Sequence, residues 1–417
     1  MKRLLLLFLA AWPWSPALPA PAPTLAKEAL VQAALRDNPS LKAARSRWEM
    51  MKQRVPQARA WEDLMAGVNL ERMGTLRPDK INDVEWMISQ TIPISGKNLS
   101  QARAASAEAL GAYQEWRRVQ LDVILRVNAA YYRLAGAYGQ LEINDRTQEL
   151  LKQLAQLSRT KYETGAATQS DVLMAETELA RLAETRATLE RDRSDQQTQL
   201  NVLANRPAAR PMGQPAPLAF RGSIWSAERA TELASRQRPE ILIAWRKIEA
   251  EQARLQLAHR QWIPDPKFTI AARQFTGEPG VQEYDTGITF SLPWTNPKKY
   301  RAGVAEASAS LESARNEYEA AHAETAGMVR DQLTKIATYA SNTRLYAEKV
   351  TPMAKSTVES TRAGYETDKS GFLDVITASR NLQEIESAGL NQLVEHQIAV
   401  AELEALVGNS PTPDASK

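Results

Sequence analysis

Residues 162–172 read YETGAATQSDV, and residues 365–375 read YETDKSGFLDV. The two stretches share Tyr-Glu-Thr at the start and Asp-Val at the end, 203 positions apart. Self-similarity at a fixed offset marks a duplicated architecture, and the repeat extends outward from this pair. Pro39 recurs as Pro239, with Leu41, Ala44 and Arg47 answered by Ile241, Ala244 and Lys247. At that offset of 200, Ile88, Ile92, Pro93 and Ala102 are answered by Ile288, Leu292, Pro293 and Ala302. The chain therefore divides into a first repeat over 23–205, a proline-rich linker over 206–224, a second repeat over 225–408 and a tail over 409–417.

Each repeat has the same internal order. A lead-in helix is expected from about Pro39 to Ala60, followed by two short runs of alternating polarity. Leu64, Ala66, Val68 and Leu70 point one way, and Val84, Trp86, Ile88 and Ile92 continue that face across a turn at 74–82. The second repeat answers with Phe268, Ile270 and Ala272, then Tyr284, Ile288, Phe290 and Leu292, while Thr269, Arg273, Asp285, Thr289 and Ser291 occupy the other face. This is the period-2 pattern of hairpins with one apolar face.

After each hairpin comes a helical stretch far longer than globular domains use, about Asn98 to Tyr162 and about Lys298 to Tyr365, interrupted only by Pro352. At 1.5 Å per residue each spans roughly 95 Å. Return helices follow, about Ser170 to Asn205 and about Phe372 to Val407; in the latter, Leu382, Ile385, Leu393, Val400, Leu403 and Leu406 have coiled-coil-like spacing. A return helix plus a lead-in helix nearly equals one long helix, so the two short helices stacked end to end are expected to pair with it.

Composition narrows the function. Residues 1–22 carry Lys2 and Arg3 ahead of the apolar run Leu4 to Trp12, the pattern of a secretory signal peptide. Without those two bases the formal net charge falls from +3 to +1, so no overall charge steers the chain to nucleic acid. There is no cysteine, which excludes disulfides, thiolate metal sites and a lipidated cysteine anchor. No long apolar run follows residue 22, which leaves a β-barrel as the route across a membrane. Four strands per chain cannot close a barrel, and open edges in lipid leave amides unsatisfied, so the strands must be shared between protomers; three chains give 12. Trp61, Trp262 and Trp294 stand at the strand ends nearest the helices, where an interfacial girdle belongs.

No residues support an enzyme. His259, His322 and His396 are isolated from any partner at zinc or catalytic spacing, and no nucleophile elbow, phosphate loop or dinucleotide fingerprint is present. Met65, Met73 and Met87 fall on the non-apolar face of the first hairpin; thioethers suit soft cations, but flexible packing is the usual role of methionine. No metal site and no cofactor are expected. A poreless periplasmic coiled-coil protein is the rival reading, and it requires that the paired hairpins be absent.

The duplicated plan, with QTIPISGK at 90–97, the YETG tip at 162–165 and the run GYETDKSGFLDV at 364–375, resembles the TolC family of outer-membrane efflux proteins, and within it the CzcC/CusC heavy-metal efflux branch. The resemblance implies a mainly α fold with a small β part: a long α-helical coiled-coil barrel continued by a 12-stranded transmembrane β-barrel shared by a homotrimer. It implies an outer-membrane exit duct with a periplasmic extension, not lipidated, working with a periplasmic adaptor protein and an inner-membrane pump of the resistance-nodulation-division type. Metal cations are the cargo expected of that branch; drugs, peptides or proteins are the cargo elsewhere in the family. The resemblance also places Asp171, Tyr365 and Asp374 at the periplasmic gate, with the Tyr365 hydroxyl bonded to Asp171 and Asp374 facing the entrance. Asp368 stands where the first tip has Gly165, and Thr377 stands where an acidic residue is often found.

Overall fold

The computed structural model describes residues 25–71, 83–220, 222 and 225–408. The expected leader over 1–22, the turn at 74–82 with Met73, and the tail over 409–417 lie outside them. The first repeat comprises α1 (Lys27–Asp37), α2 (Pro39–Arg59), β1 (Met65–Glu71), β2 (Asp83–Thr91), α3 (Lys97–Glu163) and α4 (Gln169–Leu203). The second comprises α5 (Ala227–Gln237), α6 (Pro239–Arg260), β3 (Lys267–Phe275), β4 (Glu283–Thr289), α7 (Pro297–Leu345), α8 (Thr351–Glu366) and α9 (Phe372–Leu406).

Two helices were not anticipated, α1 and α5. Each ends where a proline follows, and the residue before that proline is driven out of helical conformation: Asn38 and Arg238 both have ψ of 123°. The helix restarts at the proline itself, which tolerates the first helical position because it has no N–H to leave unsatisfied. Asn38 caps α2 through bonds from the Ser40 and Leu41 amides, at 2.9 and 3.2 Å. Pro352 also departs from the simple rod. It has no N–H for the preceding turn, and the helix widens into a π segment, Tyr346–Val350, before continuing as α8.

The helices form a four-membered wall. α3 packs against α2 and α6 in one half of its length and against α4 and α9 in the other; α7 packs against α6 and α9 in the same way. The length matching read from the sequence is thus realised, with α4 and α2 in line along one edge and α9 and α6 in line between the two long rods. Where the short helices meet, α1 packs on α3 and α5 on α7. Leu30, Val31 and Ala34 of α1 bury Val123, Val127, Ala130 and Leu134 of α3, and Ala230 and Ala234 of α5 meet Val329, Ile336, Ala399 and Leu403. The linker closes over this girdle: the Leu25 amide bonds Gln214 O at 3.0 Å, and Gln397 bonds Ala219 O at 3.2 Å.

His396 of α9 is fully buried under that linker, its ring 5.0 Å from Phe220, and the Arg344 guanidinium lies 5.3 Å from the Phe220 ring. Burial, and then the Arg344 charge, hold the imidazole below its ordinary pKa. A base with a depressed folded pKa contributes stability that is present above its unfolded value and lost as pH falls through and below it. Lowering pH from about 7.5 to about 5 should therefore lower the melting temperature, and His396→Phe should flatten that slope. An unchanged slope in the variant would assign the acid sensitivity to other groups.

The strands form one antiparallel sheet in the order β1-β2-β3-β4, with β1 and β4 at its open edges. Register aligns the apolar residues of both hairpins on one face: Val68 opposite Trp86, Trp86 opposite Ala272, Ile88 opposite Ile270, and Phe268 opposite Ile288. That face is left bare, with Val68, Ile270 and Ile288 each 57 to 61% exposed. The paired hairpins are what a poreless coiled coil would lack. Trp61 and Trp294 are exposed at the corners between sheet and helices, and Trp262 packs 5.4 Å from Tyr300. The same junction is tied by Asp265, which accepts from the Ser95 amide and hydroxyl at 2.8 Å each and from Lys97 at 3.0 Å. These bonds hold the Asp265 carboxyl below the usual carboxylate range against its burial.

Candidate functional site

The two helical hairpins, α3–α4 and α8–α9, end side by side in turns of the same design. In the first, the Gly165 amide bonds Tyr162 O and the Ala166 amide bonds Lys161 O; in the second, the Asp368 amide bonds Tyr365 O and the Lys369 amide bonds Gly364 O. The duplicated motif is therefore the tip itself, far along the rods from the sheet.

Asp171 and Asp374 occupy equivalent places, each at the start of a return helix, where a carboxylate suits the unsatisfied amides and the helix dipole. Asp171 accepts from the Thr168 amide at 3.1 Å while its own amide bonds the Thr168 hydroxyl at 3.3 Å, a full capping box. Asp374 accepts from the Gly371 amide at 3.0 Å through Oδ2 and is exposed. A cap engages one carboxylate oxygen, so capping does not withdraw Asp374 from solvent.

Tyr365 differs from its counterpart. Tyr162 is 47% exposed, whereas Tyr365 is buried, its ring 5.4 Å from Phe372 in a core with Leu151, Leu154, Ala175 and Val375. Its hydroxyl has no hydrogen-bond partner among the described residues. The bond expected from that hydroxyl to Asp171 is not formed within the chain, where Asp171 is turned back onto the start of its own helix.

What joins the hairpins instead is charge. Lys161 donates to Tyr365 O at 2.5 Å and to Asp368 at 2.6 Å, with its ammonium 4.6 Å from the centre of the Tyr365 ring. About two turns further in, Arg380 Nε donates to Glu178 at 2.8 Å, and Arg181 reaches the same carboxylate at 3.3 Å. The Arg380 bonds hold the Glu178 carboxyl below its ordinary value although burial opposes them. Farther along, Glu386 bridges Lys355 at 3.0 Å and Arg146 at 3.7 Å. The sequence marks Asp368 as unusual but gives neither its partner Lys161 nor the pairing of Arg380 with Glu178, because each pair spans about 200 residues and shares no local spacing.

The comparisons agree with this geometry. The sequence profile of the outer membrane efflux protein family matches residues 30–206 and 230–409, one segment per repeat. Comparison with curated protein sequences gives no match. Among solved structures, the chain is similar to a membrane protein from Pseudomonas aeruginosa, with 20% identity, TM-score 0.81, and 92% of this chain and 91% of that one covered. It is also similar to CusC, at 17% identity and TM-score 0.81 over 96% of this chain and all of that one. VceC from Vibrio cholerae follows at 19% identity and TM-score 0.79, covering 92% and 96%. At these identities the likeness is one of fold.

Proposed function

Because this chain belongs to the outer membrane efflux protein family, we propose that it is one protomer of a homotrimeric exit duct through the outer membrane. The observation that carries the reading is the bare apolar face of the four-stranded sheet between two open edges. Lipid would cover that face, but the edges require strands from other copies, since unpaired amides in hydrocarbon cost several kcal/mol each. Three copies give a 12-stranded barrel of conducting width; two give eight, which side chains fill. The helical walls would then close into a periplasmic tunnel ending at the tips.

In this reading the gate would lie at those tips, with Asp171 and Tyr365 in the turn region and Asp374 offering a carboxylate from each protomer to the entrance. Metal cations are the cargo this reading favours. Opposite the apolar face the described strands present Glu71, Asp83, Glu85, Glu283 and Asp285 against only Lys267 and Arg273, and a lumen lined mainly by one sign of charge favours the opposite ion. The chain does no chemistry in this scheme. A periplasmic adaptor would engage the tips and deliver cargo from an inner-membrane pump of the resistance-nodulation-division type, which supplies the energy.

The test is mass and conductance. Protein extracted in mild detergent should have the mass of three chains and should form cation-preferring channels in planar bilayers. A trivalent cation on the periplasmic side should block them, and Asp374→Asn should remove the block while the trimer persists. A monomer or dimer that conducts would end the shared-barrel reading, and an undiminished block would remove Asp374 from the entrance.

A further inference from the structure

The Asp265 lock at the junction of sheet and helices is shared by two neighbouring strands. Strand β2 leads into Ser95 and Lys97, β3 rises from Asp265, and the carboxylate between them accepts from both residues, at 2.8 and 3.0 Å. The duplication supplies the same parts a second time. Ala66 opposes Ile88 and Phe268 opposes Ile288, so the two hairpins correspond in register, and Asp63 stands three positions before Ala66 as Asp265 stands three before Phe268. Thr295 follows Pro293 by two residues as Ser95 follows Pro93, and Lys298 supplies an ammonium one residue later than Lys97 does. Within one chain these parts stand apart, because Asp63 lies at the helical end of β1 and Thr295 and Lys298 lie at that of β4, the two open edges of the sheet. Asp63 and Lys298 are exposed, neither side chain has a hydrogen bond or ion pair among the described residues, and the Thr295 hydroxyl donates to Leu292 O at 2.7 Å.

We infer that Asp63 of one copy locks onto Thr295 and Lys298 of a second copy, repeating between chains the tie that Asp265 makes within each. This rests on the shared-barrel reading above and adds to it the contact that joins neighbouring chains beneath the sheet. The strand directions agree: β2 runs into a long helix while antiparallel β3 rises from a lead-in helix, and β4 and the β1 of a second copy do the same. Charge agrees as well, with Glu62 and Asp63 at one open edge and Lys298 and Lys299 at the other. A closed ring would alternate the lock within chains and the lock between them.

The chain has no cysteine, so an introduced pair reports the contact without background. The full protein carrying Asp63→Cys and Thr295→Cys, extracted from membranes in mild detergent and gently oxidised, should gain species with the masses of two and three chains that a reductant removes. Either single variant should gain none. Charge reversal gives the second readout. Asp63→Lys and Lys298→Asp should each cut the trimer fraction about tenfold, the ratio expected when one charge-assisted bond is lost, and the two together should restore it. If each residue acted only on its own surroundings, the double variant would be worse than either single one. A trimeric wild type with no cross-link in the cysteine pair, or no restoration in the reversed pair, would overturn the lock and leave the shared barrel. A wild type with the mass of one chain would overturn the shared barrel and the lock with it.

Discussion

Ile270→Arg is expected to abolish assembly into the outer membrane, while Thr269→Arg, one residue away, is expected to be tolerated. Ile270 sits mid-strand in β3, between Ile88 and Thr286 of the neighbouring strands, on the apolar face and 61% exposed. An arginine facing lipid near the bilayer midplane costs about 2–4 kcal/mol, and the proposed trimer would carry the penalty three times, about 6–12 kcal/mol in all. Thr269 points to the opposite face, where an arginine would meet water. Membrane fractionation followed by gel analysis of unheated samples reads the result directly. The reverse outcome, with Thr269→Arg lost and Ile270→Arg retained, would mean that the sheet is inserted inside out and that the apolar face is not the lipid face.

The second large effect is expected where α3 and α9 cross. Gly136 is buried, and a Cβ added there would lie 2.8 Å from Val394 Cγ2. Valine in a helix is confined almost to one rotamer, so it cannot turn aside and the two helices must separate. A Cβ added at Gly139 would likewise lie 2.7 Å from Leu390 Cδ2, but leucine can move its terminal methyl. Gly136→Leu should therefore destabilise the protomer by about 2–3 kcal/mol through overpacking. Gly139→Ala should be close to neutral, because the helix propensity it gains offsets a small repacking. Thermal melting of both variants checks the difference. Equal, small shifts would show that α9 slides on α3 rather than being locked to it.

How much of this was legible in the sequence depended on whether a property repeats locally. The alternation of Leu64 to Leu70 and of Phe268 to Ala272 reports which side of a strand is apolar regardless of its neighbours. The strands therefore appear where expected, with the expected faces, and the long rods could be measured from the scarcity of proline. Helices α1 and α5 were overlooked because each is only 11 residues long, too short for a helical period to stand out, although Asn38-Pro39 and Arg238-Pro239 mark their ends. The interior arrangement of α3 was also hidden. That helix is packed by α2, α4, α6 and α9 along different parts of its length, so its buried residues lie on several sides and no single stripe marks the face of contact.

The tip shows the boundary between the two kinds of information. By itself the sequence determined the duplication, the helix and strand order, the two tip turns, and the carboxylates at the start of each return helix, because all of these follow from short-range spacing. Only the tertiary structure decided that Tyr365 is buried while Tyr162 is exposed, and that Lys161 meets Asp368 and Glu178 meets Arg380. Those contacts join residues about 200 positions apart, and their partners are chosen by how two rods lie against each other. No local periodicity encodes that choice; side-chain packing at the crossing does.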